Sequence, residues 1–301
     1  MSMIVPSFPY ITQTKTSTID WELDFYSRLP IFPNEKKRWE LIICSTPSPQ
    51  SSVESSLTSF RWEMPCPTNN VNSLWLKEAL GQALTLAEKQ GFSSPRRIRA
   101  WRSSMRTMVQ RAVESFGMEF VPSRRCYTLM EWMEEREMHI YPKLGYSTKS
   151  ETVLSRYDNL PAIPLPTAVR GDSWAWASLP IKVLGDAAQW DISFASLLPL
   201  PNAKNNDTLV PGVCLLSNER SLAIAAWIEG LEPVRLKIWN NKLILEAGLE
   251  DKWLITDLSN DEAIIAKEAF RKSSLTAAGL QFLAVQKNTS HFDGFWMMRD
   301  H

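Results

Sequence analysis

The sequence contains no GxG, no GxSxG and no CxxC, and only three histidines in 301 residues. Without GxG there is neither a dinucleotide fingerprint nor a phosphate loop, and without GxSxG there is no nucleophile elbow. His139, His291 and His301 have no His or Cys partner at ligand spacing, which argues against a His-rich metal centre. The four cysteines, Cys44, Cys66, Cys126 and Cys214, follow no regular spacing. They read as reduced, buried thiols rather than a disulfide framework or a zinc site. The longest apolar run, Leu222 to Ile228, is far short of the ~20 residues that span a bilayer. No basic segment followed by an apolar one opens the chain, and the first strand is expected near Ile19. The expectation is a chain with no membrane span, no metal and no cofactor, used where it is made, in the cytoplasm.

What is present is ordinary in amount and uneven in placement. Apolar residues make up 44% and charged residues 22%, enough apolar surface for two domain cores at this length. Thirteen tryptophans are the one excess. They fit core filling, and they equally fit a surface on which bases stack.

The first half alternates. Trp21, Leu23 and Phe25 share one face of a strand whose other face carries Glu22, Asp24 and Tyr26, the period of a half-buried strand. Trp39, Leu41 and Ile43 repeat the pattern, as do Phe60, Trp62 and Met64, with a turn at Pro30, Pro33 and Asn34 and a polar loop from Ser45 to Ser59. A helix follows, capped by Asn70 or Asn72 and stopped at Gly91. Then come a short strand from Arg97, a helix capped by Ser103 or Ser104, a strand at Glu119–Val121 and a helix over Arg125–Glu137. Three strands, helix, strand, helix, strand, helix is the element order of a ribonuclease H-like fold. The predicted class is α+β / α/β in two domains. Residues 1–145 form the ribonuclease H-like domain, 146–172 a proline-bearing linker, and 173–301 a second α+β domain with a hairpin turn at Asn240-Asn241.

Charge cancels overall, yet residues 1–150 carry a net +4 and residues 151–301 a net −4. Eight arginines and no lysine lie between positions 96 and 125. Guanidinium groups fork onto phosphate and stack on bases, so this choice points to nucleic acid. Arg97, Arg99, Arg102, Arg106, Arg124 and Arg125, with Trp101 on the strand face of Arg97 and Arg99, are the expected contacts to nucleic acid. The competing reading is a basic face paired with acidic neighbours.

A nuclease of this fold needs carboxylates on the first strand, the first helix and the end of the fourth strand. Asp24 fits the first position, but the helix begins with Asn and Ser, and the fourth strand ends in Arg102-Ser103. The scaffold therefore reads as non-catalytic, with Asp24 plus Glu40 or Glu63 as the alternative acidic cluster.

Trp21-Glu-Leu-Asp-Phe-Tyr-Ser-Arg28, Lys37-Arg-Trp-Glu-Leu41, Asn70-Val-Asn-Ser-Leu-Trp75, Pro122-Ser-Arg-Arg125 and Tyr141-Pro142 resemble the RNA-binding translation-activator family of cyanobacteria and chloroplasts. Arg170-Gly171, Ala225-Ala-Trp-Ile-Glu-Gly-Leu231 and Gly294-Phe-Trp296 carry the resemblance into the second half. It implies binding to an mRNA leader, with protein partners in the translation machinery, and promotion of photosystem synthesis; the chloroplast members act on the psaB message of photosystem I. The family's C-terminal Trp-Leu-Leu reads Trp296-Met297-Met298 here, methionine being close to leucine in volume. The function expected is non-enzymatic RNA binding in translation, with an assembly module for photosystem biogenesis as its rival.

Overall fold

The computed structural model describes residues 20–28, 37–46, 59–146, 160–187, 190, 192, 198, 207–287 and 292–300. The turn at Pro30, Pro33 and Asn34, most of the loop from Ser45 to Ser59 and the strand start at Ile19 lie outside these residues. The architecture is α+β, and contacts divide the chain into two compact units, Ser17–Asp158 and one built on Asn159–His301.

In the first unit β1 (Trp21–Arg28), β2 (Arg38–Ser45) and β3 (Arg61–Cys66) form an antiparallel meander. After α1 (Ser73–Lys89), β4 (Arg97–Ala100) joins parallel to β1. After α2 (Arg106–Glu114), β5 (Glu119–Pro122) joins parallel to β4. The sheet order is β3-β2-β1-β4-β5. A last helix, α3 (Tyr127–His139), closes the unit.

Local chemistry explains the boundaries. The Asn72 side chain accepts from the backbone N–H groups of Leu74 and Trp75 at 3.0 and 2.9 Å, which fixes the start of α1. Gly91, at φ +85°, turns the chain out of it. The expected cap at Ser103 or Ser104 is not used: these residues open a 3-10 turn, and Met105 precedes α2 without a side-chain cap.

Trp21, Leu23, Phe25, Leu41 and Ile43 pack beneath Leu76, Leu80 and Ala83 of α1 and Val109 and Val113 of α2. The expectation that the other face of the meander meets water is corrected. That face is covered by α3, where Ile42, Cys44, Trp101, Leu129, Trp132 and Met133 form a second, smaller cluster. Period two in β1 thus separates an apolar buried face from a charged buried one.

In the second unit, β6 (Ile163–Pro164), β9 (Pro233–Trp239), β10 (Lys242–Ala247) and β11 (Asp251–Asp257) make a sheet ordered β6-β11-β10-β9. Asn240 and Asn241, both at positive φ, form the tight turn between β9 and β10. The other sheet, ordered β13-β12-β8-β7, contains β7 (Ser173–Pro180), β8 (Leu209–Leu216), β12 (Leu280–Gln286) and β13 (Gly294–Arg299). Helices α4 (Ile181–Gly185), α5 (Ser221–Leu231) and α6 (Asn260–Thr276) complete the unit. Val213, Leu215, Leu236, Leu245, Leu283 and Trp296 meet in one apolar core beneath α5 and α6. Part of the stretch read as linker belongs here. Ile163 and Pro164 pair with β11, Leu165 is buried, and Arg220 donates to the carbonyls of Thr167 and Ala168 and to Asp172.

Candidate nucleic-acid interface

The charged face of β1 is an ion network. Arg28, at the end of β1, donates from Nε to Glu40 Oε1 at 2.6 Å and from Nη2 to Asp24 Oδ2 at 2.9 Å. Arg102 donates from Nε to Asp24 Oδ1 at 2.5 Å, and its guanidinium lies between the rings of Tyr26 and Trp101, 3.9 and 4.0 Å from their centroids. Arg136 of α3 reaches down to Glu40 Oε2 at 3.0 Å and pairs with Glu63. The Tyr141 hydroxyl donates to Glu40 Oε1 at 2.5 Å. At the other end of β1, Asp20 accepts from Arg97 and Arg99 at 2.9 and 2.5 Å.

Burial sets the proton affinities. Desolvation would raise the Asp24 carboxyl, but Arg102 and Arg28 outweigh it and hold Asp24 below the ordinary carboxylate range. Desolvation pushes the Tyr141 phenol up to about 12, which keeps it a donor to Glu40. Glu22 goes the other way: burial raises its carboxyl to about 7 despite Arg99 and Arg125 nearby. Its Oε2 accepts the backbone N–H of Leu129 at 2.7 Å, in the first turn of α3, where the N-cap residue Cys126 offers no side-chain bond. A strand carboxylate thus caps a helix that follows it by 107 residues.

The arginines named from the sequence do not share one solvent-facing surface. Arg99, Arg102, Arg124 and Arg125 are buried, and so is Trp101. For Arg99 and Arg102 the physical reason is a carboxylate partner: Asp20 takes Arg99 and Asp24 takes Arg102, which draws both into the network instead of leaving them hydrated. Arg125 points along Tyr127, its guanidinium 5.3 Å from the ring centroid. Arg97 is half-buried on Asp20, and Arg106 alone of the named set is exposed, accompanied by Arg96 and Arg111. The Asp24, Glu40 and Glu63 cluster exists, but guanidinium groups hold all three carboxylates. Among the described residues no group of three or more His, Cys, Asp or Glu side chains is placed to hold a metal ion. Trp296, Met297 and Met298 lie fully buried in β13, with the Trp296 indole N–H donating to Glu229 Oε2 at 2.6 Å.

Both parts of the chain match known family models. Residues 20–136 match "RNA-binding protein Tab2/Atab2 N terminal", and residues 151–299 match "RNA-binding protein Tab2/Atab2, C-terminal domain". The chain belongs to the Tab2/Atab2 family. It is 32% identical to the chloroplastic TAB2 homolog of Arabidopsis thaliana over 93% of this chain and 74% of that protein. It is likewise 32% identical to the chloroplastic TAB2 homolog of Zea mays, over 93% of this chain and 71% of that protein. No solved structure matches.

In this Tab2/Atab2 chain the residues that sequence reasoning missed are Glu22, Arg28, Arg136 and Tyr141. One signal for them was available. Glu22, Asp24, Tyr26 and Arg28 occupy successive same-face positions on β1, and the parallel neighbour β4 sets Arg99 beside Glu22. Opposite charges at facing positions stabilise a strand pair whether it meets water or a helix, so this signal marks the ion pairs and not the cover above them.

Proposed function

We propose that this chain is a non-enzymatic RNA-binding protein that promotes translation of photosystem messages, of which psaB is the type, by binding single-stranded RNA in the message leader. The observation that carries the reading is the match of both halves of the chain to a family described as RNA-binding. The chloroplastic relatives favour action in the plastid stroma; in a cyanobacterium the same role would be played in the cytoplasm. The sheet order β3-β2-β1-β4-β5 supports a ribonuclease H-like reading of the first domain. The engagement of Asp24, Glu40 and Glu63 by arginine supports its being used without metal-dependent cleavage, since carboxylates so neutralised are poor ligands for cations. Of the arginines expected at RNA, Arg106 and Arg97 would meet phosphates together with Arg96 and Arg111. Arg99, Arg102, Arg124, Arg125 and Trp101 would act through the sheet they hold.

Crosslinking followed by sequencing of bound RNA in the native host tests the reading. Photosystem leaders are expected to be enriched with the wild-type chain, and recovery is expected to fall with Arg96→Ala plus Arg106→Ala. Recovery of all messages in proportion to their abundance would overturn the translation role.

A further inference from the structure

At the end of the sheet where β1 finishes and β2 begins, a cleft of about 520 Å³ opens between Trp39 and the segment Pro65–Thr68. Its size falls in the range of sites that hold a small ligand. Its chemistry differs from that of the buried network a few residues away. Lys37 and Arg38, both exposed, contribute two cations to its wall, and neither has a carboxylate partner among the described residues. The Arg38 guanidinium lies 5.6 Å from the Tyr146 ring centroid, held by an aromatic face rather than by an acid. Glu40, the described acid that follows them on β2, is buried and held by Arg28 and Arg136.

The Trp39 indole is half-buried and braced from behind. Phe25 lies 5.4 Å from it and Tyr26 meets it edge-on at 6.0 Å, ring centroid to ring centroid. A braced ring that lines the cleft can meet a flat partner at little cost in side-chain entropy. Pro65 and Pro67 give apolar walls, and the Thr68 hydroxyl is turned to the Lys37 carbonyl at 3.4 Å. Cys66 is buried beneath, and desolvation pushes its thiol up to about 11, so it lines the cleft as an apolar group and not as a nucleophile.

An aromatic face beside two cations without a carboxylate partner among the described residues, with prolines in the same wall, matches a base with phosphates on either side. We infer that this cleft holds one unpaired nucleotide of a single-stranded RNA, its base against Trp39 and its flanking phosphates on Lys37 and Arg38. The inference rests on the RNA-binding reading above and adds to it a place and a mode. The hydrogen-bonding side chain in the wall, Thr68, is directed at backbone, so recognition is by stacking and charge and tolerates any base. Target choice would then come from elsewhere on the chain.

The test uses the full chain and a 20-nucleotide oligouridine carrying 4-thiouridine, titrated by anisotropy at several salt concentrations and then photocrosslinked. Lys37→Ala with Arg38→Ala is expected to weaken binding about tenfold and to flatten the slope of log K against log salt by about 1.4, two phosphates at ~0.7 each. The melting temperature should not change, because both side chains are exposed. The exchanged pair, Lys37→Arg with Arg38→Lys, should retain the slope. Crosslinks are expected on peptides containing Trp39 or Pro65–Thr68. If the double alanine variant binds as the wild type does and the crosslinks fall elsewhere, the cleft is not the site, and RNA binding stands. If the wild-type chain fails to bind the oligonucleotide even at low salt, the RNA-binding reading itself falls, and the cleft with it.

Discussion

The two units solve the same packing problem with different materials. In each, central strands are buried on both faces. In the second unit both faces of β12 and β13 are filled largely with apolar groups: Leu283, Val285, Trp296 and Met298 on one side, and Phe282, Phe295 and Met297 on the other. In the first unit one face of β1 is apolar, and the other is built from Glu22, Asp24 and Arg28 beneath α3. An apolar face is forgiving, because neighbours of similar volume can replace one another. A buried ionic face is not: its members are stable only in combination, and removal of one leaves the other desolvated and uncompensated.

The largest expected effect follows from that contrast. Arg102→Ala should destabilise the first unit by about 3–5 kcal/mol, because buried Asp24 loses a charged hydrogen bond and keeps Arg28 alone, and the Tyr26 and Trp101 rings lose the cation they pack on. Urea unfolding measures it, and a loss below about 1 kcal/mol would show that the network carries no more than a surface pair does. Next comes the Glu22 carboxyl. Its affinity for a proton is higher folded, at about 7, than at the ordinary 4.5, so the folded state holds the proton more tightly between these values. The stability that Glu22 contributes is therefore fully present below pH 4.5 and is lost as pH rises through 7. Glu22→Gln, which keeps an acceptor for the Leu129 N–H, should remove this dependence and raise stability at pH 8 by up to about 3 kcal/mol. Thermal melts from pH 5 to pH 8 would reveal it, and parallel curves for the two proteins would refute it. The smallest effect belongs to the second unit. Met297→Leu with Met298→Leu exchanges two buried side chains for ones of nearly equal volume and should shift stability by less than about 1.5 kcal/mol in either direction. A larger loss would mean that the apolar unit is as exacting as the ionic one.

Legibility in the sequence follows the same division. Most strands and helices could be read because the apolar residues keep period two or 3.6, and Asn72 and Asn240-Asn241 announce a cap and a turn by residue type alone. The cover over the polar face of β1 could not be read that way. Charged residues at alternate positions look the same whether they face water or a helix that arrives a hundred positions later. The arginine cluster was visible as chemistry, but its burial depends on partners in β1 and β2, and spacing within the cluster carries no information about them. Ile163 and Pro164 looked like linker for the related reason that a two-residue strand has no period. The cleft at Trp39 was hidden because Lys37 and Arg38 are ordinary surface cations until Pro65–Thr68 is set across from them.

The cap that Glu22 provides to α3 bears on how the chain is born. Arg136, which joins Glu40 across 96 positions, leaves the ribosome long after the meander has been synthesised. During that interval the face that α3 will cover shows water the ionised groups of β1 beside Ile42 and Cys44, so less hydrocarbon is bare there than on the opposite face. When α3 emerges it finds its first-turn acceptor already waiting on β1, so docking doubles as a checkpoint that a truncated product, lacking the helix, would never pass.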